Sequence, residues 1–205
     1  MKHTKDWIGN KKAIFAQLEA SNHSESEREE NDFYSTDPNS LKIFLKALKR
    51  DGFYLHNDIW ECACGKGHLS ELLKNNNYNV YSSDLVNRGY GTSNIDFLKY
   101  KPQYNLICDI LTNPPYKYAM EFVQHALNIL EQGFYCIMFL KIQFLEGKAR
   151  RKLFDITPPR YVYVNSERQT CYINGDMSQK ISSAACYCWF IWEKGFKGET
   201  KIKWI

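Results

Sequence analysis

Asn113-Pro114-Pro115-Tyr116 is the segment of this sequence whose residue types point most specifically to chemistry. Two consecutive prolines fix φ and remove two N–H donors, so the carbonyls of the segment are left to accept hydrogen bonds from a ligand or water. The Asn113 side-chain oxygen and the Pro114 carbonyl form a pair of acceptors suited to an incoming NH2 group, and Tyr116 offers a ring face for stacking a planar base. Read as structure alone, the tetrapeptide is a rigid turn before a helix.

A second constellation lies upstream. Ile59-Trp60-Glu61-Cys62-Ala63-Cys64-Gly65-Lys66-Gly67-His68 places an acidic residue at the end of a strand, then two glycines in the turn that opens a helix. Glycine lets backbone approach a ligand closely, and a helix start presents free N–H groups to a carboxylate. This is not the dinucleotide fingerprint, because the third glycine of that pattern would fall at Ser70. Asp84 follows the next strand, where doubly wound folds place a carboxylate for ribose hydroxyls, although a turn-capping aspartate is the plainer reading. Asp96-Phe97, one loop later, supplies a carboxylate for an adenine amino group and an aromatic ring to flank the base.

Taken in order, Phe33-Tyr34-Ser35-Thr36-Asp37-Pro38, the Glu61 to Gly67 turn, Asp84, Asp96-Phe97 and Asn113-Pro114-Pro115-Tyr116 resemble the class I amino-methyltransferases that use S-adenosylmethionine, especially the DNA adenine-N6 enzymes of phages and mobile elements. The resemblance runs over roughly residues 33 to 192. It implies that Phe33, Tyr34, Thr36 and Pro38 touch the methionine end of the cofactor. It further implies that Glu61, Cys62, Gly65 and Gly67 wrap the cofactor, that Asp84, Asp96 and Phe97 bind its ribose and adenine, and that Asn113, Pro114, Pro115 and Tyr116 hold the amino group to be methylated. The turn departs from many relatives in carrying Cys62 and Cys64 where they have aspartate or glycine.

The elements needed to position these residues are legible as hydrophobic periodicity. Asp37-Pro38-Asn39-Ser40 with Leu41, Phe44, Leu45 and Leu48 predicts a capped helix ending at Gly52. Strands are expected at Asp58 to Glu61, Asn79 to Ser82, Asn105 to Asp109 and Phe134 to Leu140, with helices at Leu69 to Lys74 and from Ala119 to Leu130. Strands alternating with helices imply an α/β fold, a Rossmann-like doubly wound and mostly parallel sheet. Tyr161 to Val164, Ala184 to Trp192 and Lys201 to Ile205 read as three further strands forming an antiparallel C-terminal edge. Residues 1 to 31 read as a polar extension, helical or a linker, and residues 32 to 205 as one methyltransferase domain.

Composition narrows the classes. The chain has 205 residues, 44% of them hydrophobic, enough to bury one sizeable core. No stretch approaches the roughly 20 apolar residues of a membrane span, and the N-terminus lacks the apolar core of a signal peptide, so a cytoplasmic protein without a membrane partner is expected. The 7 cysteines read as reduced and structural, and the one-residue gaps in Cys62-x-Cys64 and Cys186-x-Cys188 argue against a metal site. A net charge of +4 permits a nucleic-acid partner without requiring one. Lys141, Lys148, Arg150, Arg151 and Lys152, followed by Arg160 and Arg168, are the candidate DNA contacts. No Pro-Cys pair exists for methylation at a cytosine carbon. The resemblance makes adenine N6 in DNA the expected target; an RNA base amine, a protein glutamine, and an inactive binding module that keeps the cofactor fold are the rival readings. With only residues 141 to 205 after the central strand, two loop-sized segments, Ile142 to Pro159 and Glu167 to Lys180, are left to touch substrate, and short or relaxed sequence recognition is expected.

Overall fold

Pro38 opens helix α1 (Pro38–Arg50), where its missing N–H costs nothing, and Leu41, Phe44, Ala47 and Leu48 form the buried stripe. Gly52, at φ 66°, ends it: the Phe53 N–H reaches back to the Leu48 carbonyl at 2.9 Å, the bond that closes a left-handed helix terminus. The structure, a computed structural model, describes residues 34–36, 38–167, 171–173 and 185–205; Phe33, Asp37, Arg168 and most of the segment from Glu167 to Lys180 lie outside the described residues.

The remaining elements are strands β1 (Tyr34–Thr36), β2 (Asp58–Glu61), β3 (Asn79–Ser82), β4 (Asp109–Thr112), β5 (Tyr135–Lys141), β6 (Tyr161–Val164), β7 (Cys171–Ile173), β8 (Tyr187–Glu193) and β9 (Lys201–Trp204), and helices α2 (His68–Lys74), α3 (Ala119–Ile129) and α4 (Lys148–Ile156). Seven strands form one sheet in the order β3-β2-β4-β5-β8-β6-β9, while β1 and β7 pair separately as an antiparallel ribbon. The sheet is mostly parallel. Its antiparallel pairing is confined to β8, which runs against both β5 and β6; β9, outermost, runs parallel to β6.

Each face of the sheet carries a core. Ile59, Leu111, Ile137, Phe139, Trp189 and Ile191 pack under α1 and α2; Trp60, Ile110, Met138, Leu140, Phe190 and Trp192 pack under α3, Phe144 and α4. The strict alternation along β4, β5 and β8 is what a sheet buried on both sides requires. The buried indole of Trp189 stacks on Phe44 at 4.8 Å and donates Nε1–H to Ser40 Oγ at 3.1 Å.

The strand expected at Asn105 to Asp109 instead begins at Asp109. Ile107 is 72% exposed, and Leu106 makes only an isolated bridge to Leu130. The Asp109 carboxylate is fully buried at the strand's first residue because it accepts the backbone N–H groups of His56 at 2.8 Å and Tyr135 at 2.9 Å and lies 2.8 Å from His56 Nδ1. Burial pushes its pKa up against these bonds. An aspartate that looks like a strand end in sequence is thus a strand start.

Candidate active site

The chain passes from β2 outward to β3 and then returns to β4 on the other side of β2. This reversal is the switch point at which open α/β sheets leave a crevice beyond the carboxyl ends of their strands. The parallel register pairs Ile59 with Asp109 and Trp60 with Ile110, so the turn after Glu61 and the segment after Thr112 leave the sheet at the same end.

The turn after β2 is tied to the end of β3. Ser83 N–H donates to the Glu61 carbonyl and Cys64 N–H to the Ser83 carbonyl, while Gly65 N–H donates to Asp84 Oδ2 at 2.8 Å. Asp84 Oδ1 accepts the Val86 N–H at 2.9 Å. Asp84 therefore caps the turn, using one lone pair on each oxygen, where an ionised carboxylate has about four such sites. Ile95 N–H donates to the Asp84 carbonyl, so Asp84 and Asp96 leave the same folded loop. Leu85, directly after Asp84, is 53% exposed.

Glu61 faces inward. It is 2% exposed, accepts a hydrogen bond from Ser70 Oγ, and Ser70 Oγ in turn lies 2.6 Å from Ser82 Oγ. Burial, aided by the nearby Asp84 charge, outweighs the Ser70 bond and pushes its pKa up to about 8. Ser70, the position that lacks the third fingerprint glycine, is the partner that makes a buried glutamate tolerable. The side chains of Cys62 and Cys64 are buried as well, with Cys62 in the core against α3 and burial raising both thiol pKa values. Cys62, Cys64, Cys108, Cys136, Cys186 and Cys188 are free, and among the described residues no group of three potential ligands could hold a metal.

Packing takes Phe97 away from its expected position. Phe97 does not flank the crevice: it is 2% exposed and sits in the core between Trp60 at 5.3 Å and Phe122 at 4.9 Å, because the Phe97–Lys99 turn rolls its ring under the sheet. Asp96 stays at the surface of that turn, accepting the Leu98 N–H at 3.1 Å and pairing with Lys99 at 2.9 Å. Gly67 has no room for a side chain. At φ 81° its missing Cβ would lie 2.5 Å from the ring of Tyr90, which packs over the turn and is held by Lys74 and Glu71. Sequence reasoning passed over Tyr90, although the flanking Gly89 and Gly91, both at positive φ, marked a tight loop there.

Asn113 follows β4 directly. Its side-chain oxygen is shielded from solvent, Pro114 is buried, and Pro115 starts the Tyr116–Tyr118 turn that feeds α3. Thr112 Oγ1, at the last position of β4, is buried and has no hydrogen-bond partner among the described residues. The Tyr116 ring is half-buried, 6.1 Å from Tyr187 and 5.5 Å from Lys141 Nζ, which comes from the end of β5. Tyr34 and Thr36 lie in the ribbon, whose register pairs Thr36 with Cys171, and β1 neighbours α2.

The basic residues divide. Lys148, Arg151 and Lys152 are exposed on α4, with Arg151 paired to Asp155 at 2.7 Å. Arg150 is half-buried and Arg160 is paired with Glu193. Among the described residues no helix is long and apolar enough to cross a membrane.

No protein-family model matches this sequence, and no curated protein matches it. Solved structures do. A candidate class I S-adenosylmethionine-dependent methyltransferase from Listeria monocytogenes is similar with a TM-score of 0.57 at 13% identity, over 94% of this chain and 70% of that one. The methyltransferase subunit of a type I restriction-modification system from Streptococcus thermophilus gives 0.60 at 14% identity, over 85% of this chain but 47% of that subunit. A candidate RNA methyltransferase from Pyrococcus horikoshii gives 0.59 at 13% identity, over 93% of this chain and all of that one, 100%. At such identities the likeness shows the fold: this chain has the Rossmann-like architecture that these structures share.

Proposed function

We propose that this chain is an S-adenosylmethionine-dependent methyltransferase that acts on an exocyclic amino group, adenine N6 in DNA. The observation that carries the reading is the placement of the Asn113 to Tyr116 segment at the carboxyl end of β4, beside the glycine turn of β2, at the switch point of the sheet. The residues around the crevice fit the cofactor. Asp84 keeps unused lone pairs for hydroxyls, Asp96 is a partly exposed carboxylate that could accept from an amino group, Gly65 at φ 56° turns the backbone with no side chain in the way, and Thr112 Oγ1 is an orphaned polar atom at the strand end. The methyltransferase neighbours support the same reading through their fold.

When bound, the cofactor supplies a methyl group already activated on a sulfonium. The residues of this chain then have to align the attacking nitrogen and keep water away. An amine conjugated to a purine is a poor nucleophile. Asn113 Oδ1 and the Pro114 carbonyl, as acceptors for its two N–H groups, localise its lone pair toward the methyl carbon, most strongly as positive charge develops on nitrogen in the transition state. A base in a duplex has to leave the stack, and Tyr116 is the ring against which it rests. The exposed Lys148, Arg151 and Lys152 of α4 hold phosphate.

The test is product identification. The protein is incubated with isotopically labelled cofactor and, in turn, DNA, RNA and cell extract, and digests are analysed by mass spectrometry. N6-methyldeoxyadenosine as the labelled product is expected; label only in an RNA nucleoside or in glutamine would move the reading to that substrate, and no label in any of them would contradict it.

A further inference from the structure

The cavity beside Tyr116 stands apart from the acceptor pair. It measures about 280 Å³ and opens between the Tyr116–Tyr118 turn, the start of α3 and the segment joining Phe144 to α4; Asn113 and Pro114 are not among its walls. Anything held in it lies next to the amine being methylated, not at it.

Its chemistry is that of a nucleotide site. Tyr116, Met120 and Phe144 supply apolar and aromatic surface, and Lys117, Lys148 and Arg150 bring three cations against one carboxylate, Glu121. Arg150 is fixed in advance: Nε donates to the Glu146 carbonyl, Nη2 donates to the Gln143 carbonyl at 3.2 Å, and the guanidinium lies 5.3 Å from the Phe144 ring centroid. Two of its five N–H donors are used, and a planar fork with three remaining donors suits phosphate oxygens. The volume falls just below the roughly 300–1,000 Å³ typical of ligand pockets. One planar base fits there with its phosphate outside.

Resting on the reading of this chain as a nucleic-acid amino-methyltransferase, we propose that the cavity holds the base of the nucleotide adjoining the one that is methylated, with its phosphate at Lys148 and Arg150. Stacking on aromatic walls tolerates every base, while Glu121, the carboxylate among the walls, favours bases that carry an amino group. The cavity thereby sets the preference for one neighbouring position.

The test uses the full chain and a fluorescent single-stranded oligodeoxynucleotide with one adenine, each adjoining base in turn replaced by 5-iodouracil for photocrosslinking or by an abasic residue. One of the two adjoining 5-iodouracils is expected to crosslink to Tyr116, Met120 or Phe144, and an abasic residue at that position to weaken binding at least fivefold. Ala149→Trp, which fills the cavity from an exposed wall position, is expected to bind the intact oligonucleotide as weakly as wild type binds the abasic one, to show no further loss with the abasic one, and to bind S-adenosylmethionine as wild type does. Ala149→Leu gives a smaller effect of the same sign and replaces the tryptophan variant should that one fail to fold. Tight binding that Ala149→Trp or Ala149→Leu leaves intact, with crosslinks elsewhere, overturns the cavity proposal while the nucleic-acid reading stands. No binding of DNA or RNA oligonucleotides overturns both.

Discussion

Gly67 and Asp84 show at the residue scale what holds the turn after β2 in shape. Because a Cβ at Gly67 would meet the Tyr90 ring at 2.5 Å and φ is 81°, Gly67→Ala is expected to cost about 2 kcal/mol or more of stability from overpacking and backbone strain together. Adding Tyr90→Ala should recover the overpacking part but not the strain, so thermal unfolding of the double variant is expected to lie between those of wild type and Gly67→Ala. Asp84→Ala removes the acceptor for two backbone donors, Gly65 and Val86, as well as the proposed ribose contact. It should weaken cofactor binding by about 1–3 kcal/mol and lower the melting temperature too. Calorimetry finding weaker binding with an unchanged melting temperature would remove the capping role. Glu61 makes a pH prediction. Folded, its carboxyl holds its proton up to about pH 8; unfolded, it ionises near 4.5. The folded chain therefore binds more protons between those values, so its contribution to stability is complete below pH 4.5 and is lost as pH rises to about 8. Glu61→Gln cannot ionise, and its melting temperature is expected to gain on wild type steadily from pH 5 to pH 8; parallel curves would contradict the assignment.

At the scale of elements, Asp51 binds the end of α1 to the far edge of the sheet. Its carboxylate accepts Arg50 Nε–H at 2.9 Å, Tyr163 Oη–H of β6 at 3.0 Å and Lys203 Nζ–H of β9 at 2.8 Å. The hydrogen bonds from Arg50 and Lys203 hold its pKa well below the usual carboxylate range. The sign is opposite to that of Glu61: this stabilisation is present above the unfolded value of 3.8 and is lost as pH falls. Asp51→Asn should lower stability by about 1–3 kcal/mol at pH 7, and the deficit should shrink in acid; a deficit independent of pH would contradict it. Periodicity made such elements legible. Asp58 to Glu61, Asn79 to Ser82 and Tyr161 to Val164 are strands with the expected ends, because turn residues bound them sharply. Asp109 misled because the partners that let a carboxylate start a buried strand, His56 and Tyr135, are distant in sequence. Phe97 misled in the same way, since the side of a short turn on which a ring falls is decided by tertiary packing. The β1 and β7 ribbon left no signal, each strand being three residues long.

For the whole molecule, the sheet order brings together what the sequence holds apart: Gly65, Asp84 and Asn113 follow the carboxyl ends of three adjacent strands, Asp96 is joined to Asp84 by the Ile95 N–H bond, and α4 with its cations packs nearby through Phe144. This is the part of the candidate site that motif order made readable, since the glycine turn, Asp84 and Asn113 each fall just after a strand. Tyr90 and the cavity beside Tyr116 were not readable, because both arise where separate loops meet. The central claim is that the crevice binds the cofactor while Asn113 acts on the amine in the transition state, two functions that one substitution separates. The direct measurement is single-turnover methyl transfer to adenine-containing DNA by wild type and Asn113→Ala, together with the cofactor Kd of each. The expected result is a rate lower by about 10²-fold or more with an unchanged Kd. Transfer by Asn113→Ala at the wild-type rate would contradict it.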